Sequence, residues 1–236
     1  MNAVTHTGDC LSILPTIPDN SIDLILTSPP YNKNGLQGKT KPSNQVWSKF
    51  NIDYNNYGDD LPEDDYQQWM KDFLLECFRL IKPTGSILFN HKPRRHKNRC
   101  FLPTDFLPPI PLYQLIIWDR RNSPNIRNDI LVPSTEHIYW FCKNKPNVFR
   151  DKVQHKGEVW TISAPKQKDH PAPFPEELVE NGVLLTTQPN DVVLDPFMGS
   201  GTTGVVCKKL GRNFIGIEQS PDYVEISRMR LENTTV

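Results

Sequence analysis

The chain has 236 residues and equal numbers of Lys+Arg and Asp+Glu, 27 each, so it is not globally basic and any contact with a polyanion must come from a local patch. Its length suits a single α/β domain, 1–236, which buries roughly 70–75% of its unfolded surface and needs no disulfide or metal staple. Five scattered Cys without C-x-x-C spacing read as reduced thiols of a cytoplasmic protein, and no apolar run argues for export or a membrane span.

In chain order, residues 4–14 read as a short strand, a turn at Gly8-Asp9 and a brief helix with Asp9 as its N-cap. Ile22 to Leu26 is an apolar run of buried-strand length that enters Thr27-Ser28-Pro29-Pro30-Tyr31. Two prolines cannot donate to a sheet ladder, so the strand ends there with its carbonyls left to accept and its backbone held stiff. A rigid acceptor edge followed by an aromatic ring suits the exocyclic amine of a planar base. The plainer reading is a proline-terminated strand whose Tyr31 packs in the core.

Residues 32–62 are polar and carry Lys33, Lys39 and Lys41, as a loop does. Residues 63–82 place Tyr66, Trp69, Met70, Phe73, Leu74, Phe78 and Ile81 at three- and four-residue spacing, which predicts an amphipathic helix packed on the core. Lys82-Pro-Thr-Gly85 ends it, and Ser86 to Asn90 reads as the next strand. Leu115 to Trp118 and His137 to Cys142 read as the last strands of the sheet, and Phe174 to Gly182 as a short helix. Cations cluster in residues 91–111 (Arg94, Arg95, Lys97) and in residues 119–135 (Arg120, Arg121). A neutral chain that meets nucleic acid must gather its cations in this way, although a solvated face looks the same. His91, His96 and Cys100 have no zinc spacing, so no metal site is expected.

Val192 to Leu194 is a second buried-strand candidate; it ends in Asp195 and continues through Pro-Phe197-Met-Gly199-Ser200-Gly201-Thr202-Thr-Gly204 into a helix over Val205–Leu210. A further strand, Asn213 to Glu218, ends in a second acid. Strand, glycine turn, helix, strand and carboxylate make one half of a nucleotide-binding α/β unit. Gly199-x-Gly201-x-x-Gly204 matches the dinucleotide spelling, but Asp195 would face and repel a pyrophosphate. No Lys follows the last Gly, as a phosphate loop of the NTPase type requires. S-adenosylmethionine carries a ribose, an α-ammonium and no phosphate, and it fits an acid for the ammonium, a glycine turn and an acid for the ribose. A packing turn in an enzyme with some other ligand is the remaining reading.

Thr27-Ser-Pro-Pro-Tyr31 together with Asp195-Pro-Phe-Met-Gly-Ser-Gly-Thr-Thr203 resembles the amino-methyltransferases of DNA, which methylate N4 of cytosine or N6 of adenine. The catalytic tetrapeptide precedes the cofactor loop, an order that resembles the β group of these enzymes, found in restriction–modification systems and phages. The resemblance implies a Rossmann-like sheet of seven strands, one antiparallel, with a permuted motif order. It implies that Ser28, Pro29, Pro30 and Tyr31 are catalytic and that Asp9, Cys10, Asp195, Phe197, Gly199, Ser200, Gly201, Thr202 and Glu218 bind S-adenosylmethionine. His170-Pro171-Ala-Pro-Phe-Pro resembles the segment beside the methionine moiety. DNA is the implied partner, with loops 32–62, 91–111 and 119–135 as candidate readers; a homodimer would pool two sets of them.

The implied mechanism flips the target base out of the duplex and transfers the methyl group by direct in-line attack. C5-cytosine enzymes use a Cys after a Pro, and none of the five Cys here follows one. Relatives with Ser before Pro-Pro-Tyr mostly act on N4 of cytosine, and those with Asp or Asn mostly on N6 of adenine, so Ser28 favours cytosine. An RNA or small-molecule N-methyltransferase, or a binding module without activity, are the rival classes; an intact Ser28-Pro-Pro-Tyr31 counts against the last.

Overall fold

The computed structural model describes residues 2–32, 61–96, 98–121, 128, 130–164 and 174–235. Its main sheet runs from edge to edge as β1 (Ala3–Thr7), β10 (Asn213–Glu218), β9 (Val192–Asp195), β2 (Ile22–Thr27), β3 (Ile81–His91), β7 (Thr135–Phe141), β6 (Leu112–Asp119) and β8 (Val159–Thr161). β7 runs antiparallel to both neighbours, and every other pairing in this sheet is parallel. A small antiparallel ribbon, β4 (Arg94–His96) with β5 (Arg99–Phe101), follows β3.

Seven of the eight strands are the expected ones. The eighth, β8, pairs Val159–Thr161 with Ile117–Asp119 and extends the sheet beyond β6. Three residues are too few to show alternation, which is why the sequence gives no sign of this strand. Trp160, 1% exposed, anchors it in the core.

Parallel strands are covered on both faces, and their apolar residues alternate between two clusters accordingly. On one face, Leu24, Leu26, Leu88, Ile138 and Trp140 pack with Trp160 and with α3 (Glu176–Thr186), α4 (Thr202–Lys209) and α5 (Pro221–Asn233). On the other, Ile25, Ile87, Phe89, Tyr139 and Phe141 pack against α1 (Cys10–Ile13) and α2 (Glu63–Leu80). The sequence of α2 explains both its ends and its buried stripe. Glu63, Asp64 and Asp65 fill the first turn, where the helix dipole favours negative charge. Tyr66, Met70, Phe73, Leu74, Cys77 and Leu80 then bury one face. The helix stops at Leu80, and β3 starts directly at Ile81 instead of after Gly85.

Trp160→Ala should cost about 3–5 kcal/mol, the range for truncating a buried large aromatic. Equilibrium urea unfolding measures it, and a loss below about 1 kcal/mol would mean that β8 is not part of the core.

Candidate active site

Parallel strands end at one common edge, and loops leaving their carboxyl ends build the site. Here that edge carries Gly8-Asp9 after β1, Ser28 to Tyr31 after β2, Asn90 and His91 at the end of β3, Asp195 at the end of β9 and Glu218 at the end of β10. The pairing of Thr27 with Phe89 sets Ser28 beside Asn90. β2 and β9 are adjacent, so the residues after Thr27 and those after Asp195 form one rim.

On the β9–β10 side, Asp195 is 3% exposed. Its Oδ1 accepts from Thr27 Oγ1 at 2.8 Å and from the Phe197 backbone N–H at 3.2 Å, and its Oδ2 accepts from Thr203 Oγ1 at 2.6 Å. Burial pushes its pKa up from 3.8 to about 6; the donors from Thr203, Thr27 and Phe197 work against that shift, and the nearby Glu218 adds to it. The following turn needs left-handed backbone at Gly199 (φ +50°) and Gly201 (φ +82°). A Cβ on Gly201 would also lie 2.6 Å from Ser227 Oγ and 3.1 Å from Ser227 Cα of α5. Ser200 accepts from Arg230 through its backbone oxygen (2.7 Å) and Oγ (3.0 Å), and Thr202 opens α4. Glu218 accepts from Gly199 N–H and Ser220 N–H, both at 2.9 Å.

Asp9 caps α1 by accepting from Ser12 N–H at 3.1 Å. Cys10 is buried, and burial together with the Asp9 charge pushes its thiol up to about 12, so it stays neutral. The Phe197 ring packs 5.0 Å from Phe73 and 5.7 Å from Trp69 of α2, centroid to centroid. Two carboxylates around a glycine turn disfavour a pyrophosphate and suit a ligand with a cationic amino group and a neutral diol. Asp195, Glu218, the Gly199–Thr202 turn and Asp9 lie along this part of the rim and could hold such a ligand.

The β2–β3 side is a polar row across four strands. Tyr31 Oη lies 2.7 Å from Ser28 Oγ, accepts from Asn90 Nδ2 at 2.8 Å and donates to Glu136 Oε2 at 3.1 Å. Asn90 Nδ2 also donates to Glu136 Oε2 at 2.8 Å, and Arg120 Nη1 donates to Glu136 Oε1 at 2.7 Å. Burial, followed by the Glu136 charge, raises the Tyr31 pKa, so the phenol stays protonated. Its ring lies 4.7 Å from that of His91, centroid to centroid, with Lys92 Nζ 5.4 Å from the Tyr31 centroid. Burial lowers the pKa of His91 to about 3, so its ring is neutral. With Nδ1 donating to the Lys92 carbonyl at 2.8 Å, Nε2 is the acceptor facing Tyr66 Oη at 2.8 Å. Tyr66 Oη also stands 2.9 Å from the Pro30 carbonyl, so its one hydrogen is shared between that carbonyl and Nε2, and α2 reaches the proline turn through it.

The basic residues divide. Arg94 is 4% exposed, and its two terminal nitrogens donate to Glu63 at 2.7 and 2.8 Å while its guanidinium lies over the Tyr66 ring. It therefore holds α2 to the ribbon, and the expectation that it meets phosphate is corrected. Arg120 is likewise turned inward to Glu136. Arg95 and Arg121 are exposed. Lys97, His170 and Pro171 lie outside the described residues, as does most of the loop 32–62. Among the described residues, no cluster of three or more His, Cys, Asp or Glu is arranged to hold a metal, and no helix is long and apolar enough to cross a membrane.

Sheet order and rim define a Rossmann-like methyltransferase fold. The profile of the N6/N4 DNA methylases matches residues 22–229, and the chain belongs to that family. It is 31% identical over 261 residues to the Type II methyltransferase M.BglII of Bacillus subtilis, covering 94% of this chain and 67% of that protein. It is 32% identical over 256 residues to the Type II methyltransferase M.HinfI of Haemophilus influenzae, covering 95% and 67%. Among solved structures, PvuII DNA methyltransferase (cytosine-N4-specific) superimposes with a TM-score of 0.79 at 25% identity, over 100% of this chain and 88% of that one. The complex of M1.HpyAVI with SAM gives a TM-score of 0.64 at 26% identity, over 97% and 100%.

Sequence reasoning gives Asn90, Glu136 and His91 no place in the site and reads Tyr66 only as core packing. The one available signal was Glu136, an acid directly before the apolar strand that begins at His137.

Two predictions follow from the buried charges. Arg94→Ala removes the cation facing the part-buried Glu63, which keeps Gln67 as a donor at 2.8 Å, and should cost about 1–3 kcal/mol, while exposed Arg95→Ala should stay within about 0.5 kcal/mol; paired thermal melts compare them. For Asp195, the folded pKa of about 6 lies above the free value of 3.8. The unfolded chain therefore releases this proton first, and the folded state loses stability as pH rises from about 4 to about 6. The stability of Asp195→Asn relative to the parent should grow across that window, by up to about 3 kcal/mol without ligand; a pH-independent difference would mean that Asp195 is not held this way.

Proposed function

We propose that this chain is an S-adenosylmethionine-dependent DNA methyltransferase acting on N4 of cytosine. The methylase family gives the DNA methylase class, and the site carries the finer reading through Ser28. A hydroxyl, not a carboxylate, follows Thr27, and it stands in the row that ends at Glu136. The PvuII structure, whose description reads cytosine-N4-specific, superimposes on the whole chain and supports the same target.

S-adenosylmethionine is the cofactor, as the SAM complex of M1.HpyAVI supports; it supplies an electrophilic methyl group on a positively charged sulfur. Asp195 is placed to meet the ammonium, Glu218 the ribose diol, and the Gly199–Thr202 turn allows close approach. The flipped base stacks on the Tyr31 ring, a contact worth about 1–3 kcal/mol. Ser28 Oγ and the Pro29 carbonyl accept from the exocyclic amine and aim its lone pair for in-line transfer. Arg95 and Arg121 face the phosphates. N6-adenine methylation is the second reading, since both amines offer two donors and adenine N1 matches cytosine N3 as the neighbouring acceptor.

Methylation of unmodified DNA, digestion to nucleosides and mass spectrometry separate the two. N4-methylcytosine is the expected product, and N6-methyladenine alone would overturn the cytosine assignment.

A further inference from the structure

We propose that Glu136 is the terminal proton acceptor of the reaction, reached through the hydroxyls of Tyr31 and Ser28, and that Arg120 and Asn90 fix the direction of that chain. The proposal rests on the reading of Ser28 and Tyr31 given above.

The direction follows from counting protons. Tyr31 has one hydroxyl hydrogen, and a carboxylate is its strongest available acceptor, so it points to Glu136 Oε2 at 3.1 Å. Glu136 can only accept, so the Asn90 group facing it must be Nδ2. The same Nδ2 donates to Tyr31 Oη at 2.8 Å, which leaves the Tyr31 oxygen in the role of acceptor there. With the one Tyr31 hydrogen directed to Glu136, the 2.7 Å contact to Ser28 is made by the Ser28 hydroxyl as donor. With its hydrogen directed to Tyr31, Ser28 Oγ presents lone pairs to the rim. That is the arrangement an amine N–H requires of an acceptor, and every link lies within proton-transfer reach.

The balance closes. The target nitrogen forms its bond to the methyl carbon as the carbon–sulfur bond breaks, with the electron pair staying on sulfur. The nitrogen sheds one proton to Ser28 Oγ, the Ser28 proton moves to Tyr31 Oη, and the Tyr31 proton moves to Glu136 Oε2. Ser28 and Tyr31 end neutral, and Glu136 ends as the carboxylic acid, which returns its proton to solvent. The Arg120 contact occupies Oε1 at 2.7 Å and leaves Oε2 to the chain. Asn90, 2% exposed, has its Oδ1 without a hydrogen-bond partner among the described residues. Its amide is thus committed to holding Tyr31 and Glu136 together at the expense of its own acceptor. Glu136, Asn90 and Arg120 act through other residues in this scheme, and Ser28 is the group of the relay that takes the proton from the amine.

The test compares Tyr31→Phe, Glu136→Gln and the double variant in single-turnover methyl transfer at saturating DNA and cofactor. Cofactor affinity is measured by calorimetry, and base flipping by 2-aminopurine fluorescence at the target position. Phenylalanine keeps the stacking face and removes only the relay oxygen, so a purely stacking Tyr31 makes Tyr31→Phe as fast as the parent. The relay instead slows both single variants about a hundredfold or more. Cofactor affinity and the flipping signal stay within about twofold, and the double variant is no slower than the slower single one. Parental rates in Tyr31→Phe or in Glu136→Gln, or losses that multiply in the double variant, overturn the relay. Tyr31→Phe leaves the Arg120–Glu136 pair intact and carries the test if Glu136→Gln melts. A parental rate in Tyr31→Ala would overturn the site assignment itself, whereas a dead Tyr31→Ala with a normal Glu136→Gln would overturn the relay alone.

Discussion

One hydrogen bond makes a single site out of the two ends of this chain. Thr27 Oγ1 donates to Asp195 Oδ1 at 2.8 Å across 168 positions of sequence. Thr27 is the residue before the proline turn, and Asp195 is the residue before the glycine turn. β2 and β9 are parallel neighbours that pair Leu24 with Val193 and Ile25 with Leu194, so both strands deliver their last residue to the same depth of the rim. A carboxylate buried to this degree is costly without donors, and Thr27, Thr203 and the Phe197 N–H supply them from three different pieces of backbone. The group that would meet a cationic ligand is thereby also the group that sets the distance between the cofactor turn and Ser28. A substitution at Thr27 thus disturbs both halves at once.

The net neutrality of the protein hides an uneven use of its charges. Arg94 and Arg120 are spent inside, on Glu63 and Glu136. Each pair stitches an element to the rim: Arg94 ties the β4–β5 ribbon to the start of α2, and Arg120 ties the end of β6 to β7. Along β4 the side chains alternate, with Arg94 turned in and Arg95 turned out, as the two-residue period of a strand demands. Adjacent cations in one short strand therefore serve opposite purposes, one holding the scaffold and one facing solvent.

This alternation also marks where reading the sequence stops working. Ser28-Pro-Pro-Tyr31 and Asp195 to Thr203 were legible because prolines and glycines carry backbone constraints that are independent of the rest of the fold. The α2 stripe was legible because its period is local. A count of cations near residue 94 cannot say which way each one points, and no local rule ties Glu136 to Tyr31, from which 105 positions separate it. The strand β8 escaped for a related reason: its three residues become a strand only because β6 offers them an edge. Local chemistry marks the candidates for touching a ligand, while the residues that hold them in place are assigned by tertiary contact.

The Tyr31 ring shows how those two classes meet. Its hydroxyl is engaged by Ser28, Asn90 and Glu136, which fixes the tip of the ring, and His91 lies against the ring at 4.7 Å. His91 is itself held neutral in an apolar wall built from Tyr66, Phe89 and Phe106. Were His91 charged, it would repel Lys92 and Arg94, whose charges already act to lower its pKa. Burial therefore lets an imidazole do the work of a packing ring while its Nε2 and the Pro30 carbonyl share the one hydroxyl hydrogen of Tyr66. The proline turn and the aromatic ring are thus fixed by separate contacts on separate elements, α2 on one side and β3 with β7 on the other. On the proposed reading, a base entering this rim would meet an acceptor and a stacking surface already oriented, so little binding energy would go into arranging them, and more would remain for holding the amine in line with the methyl group.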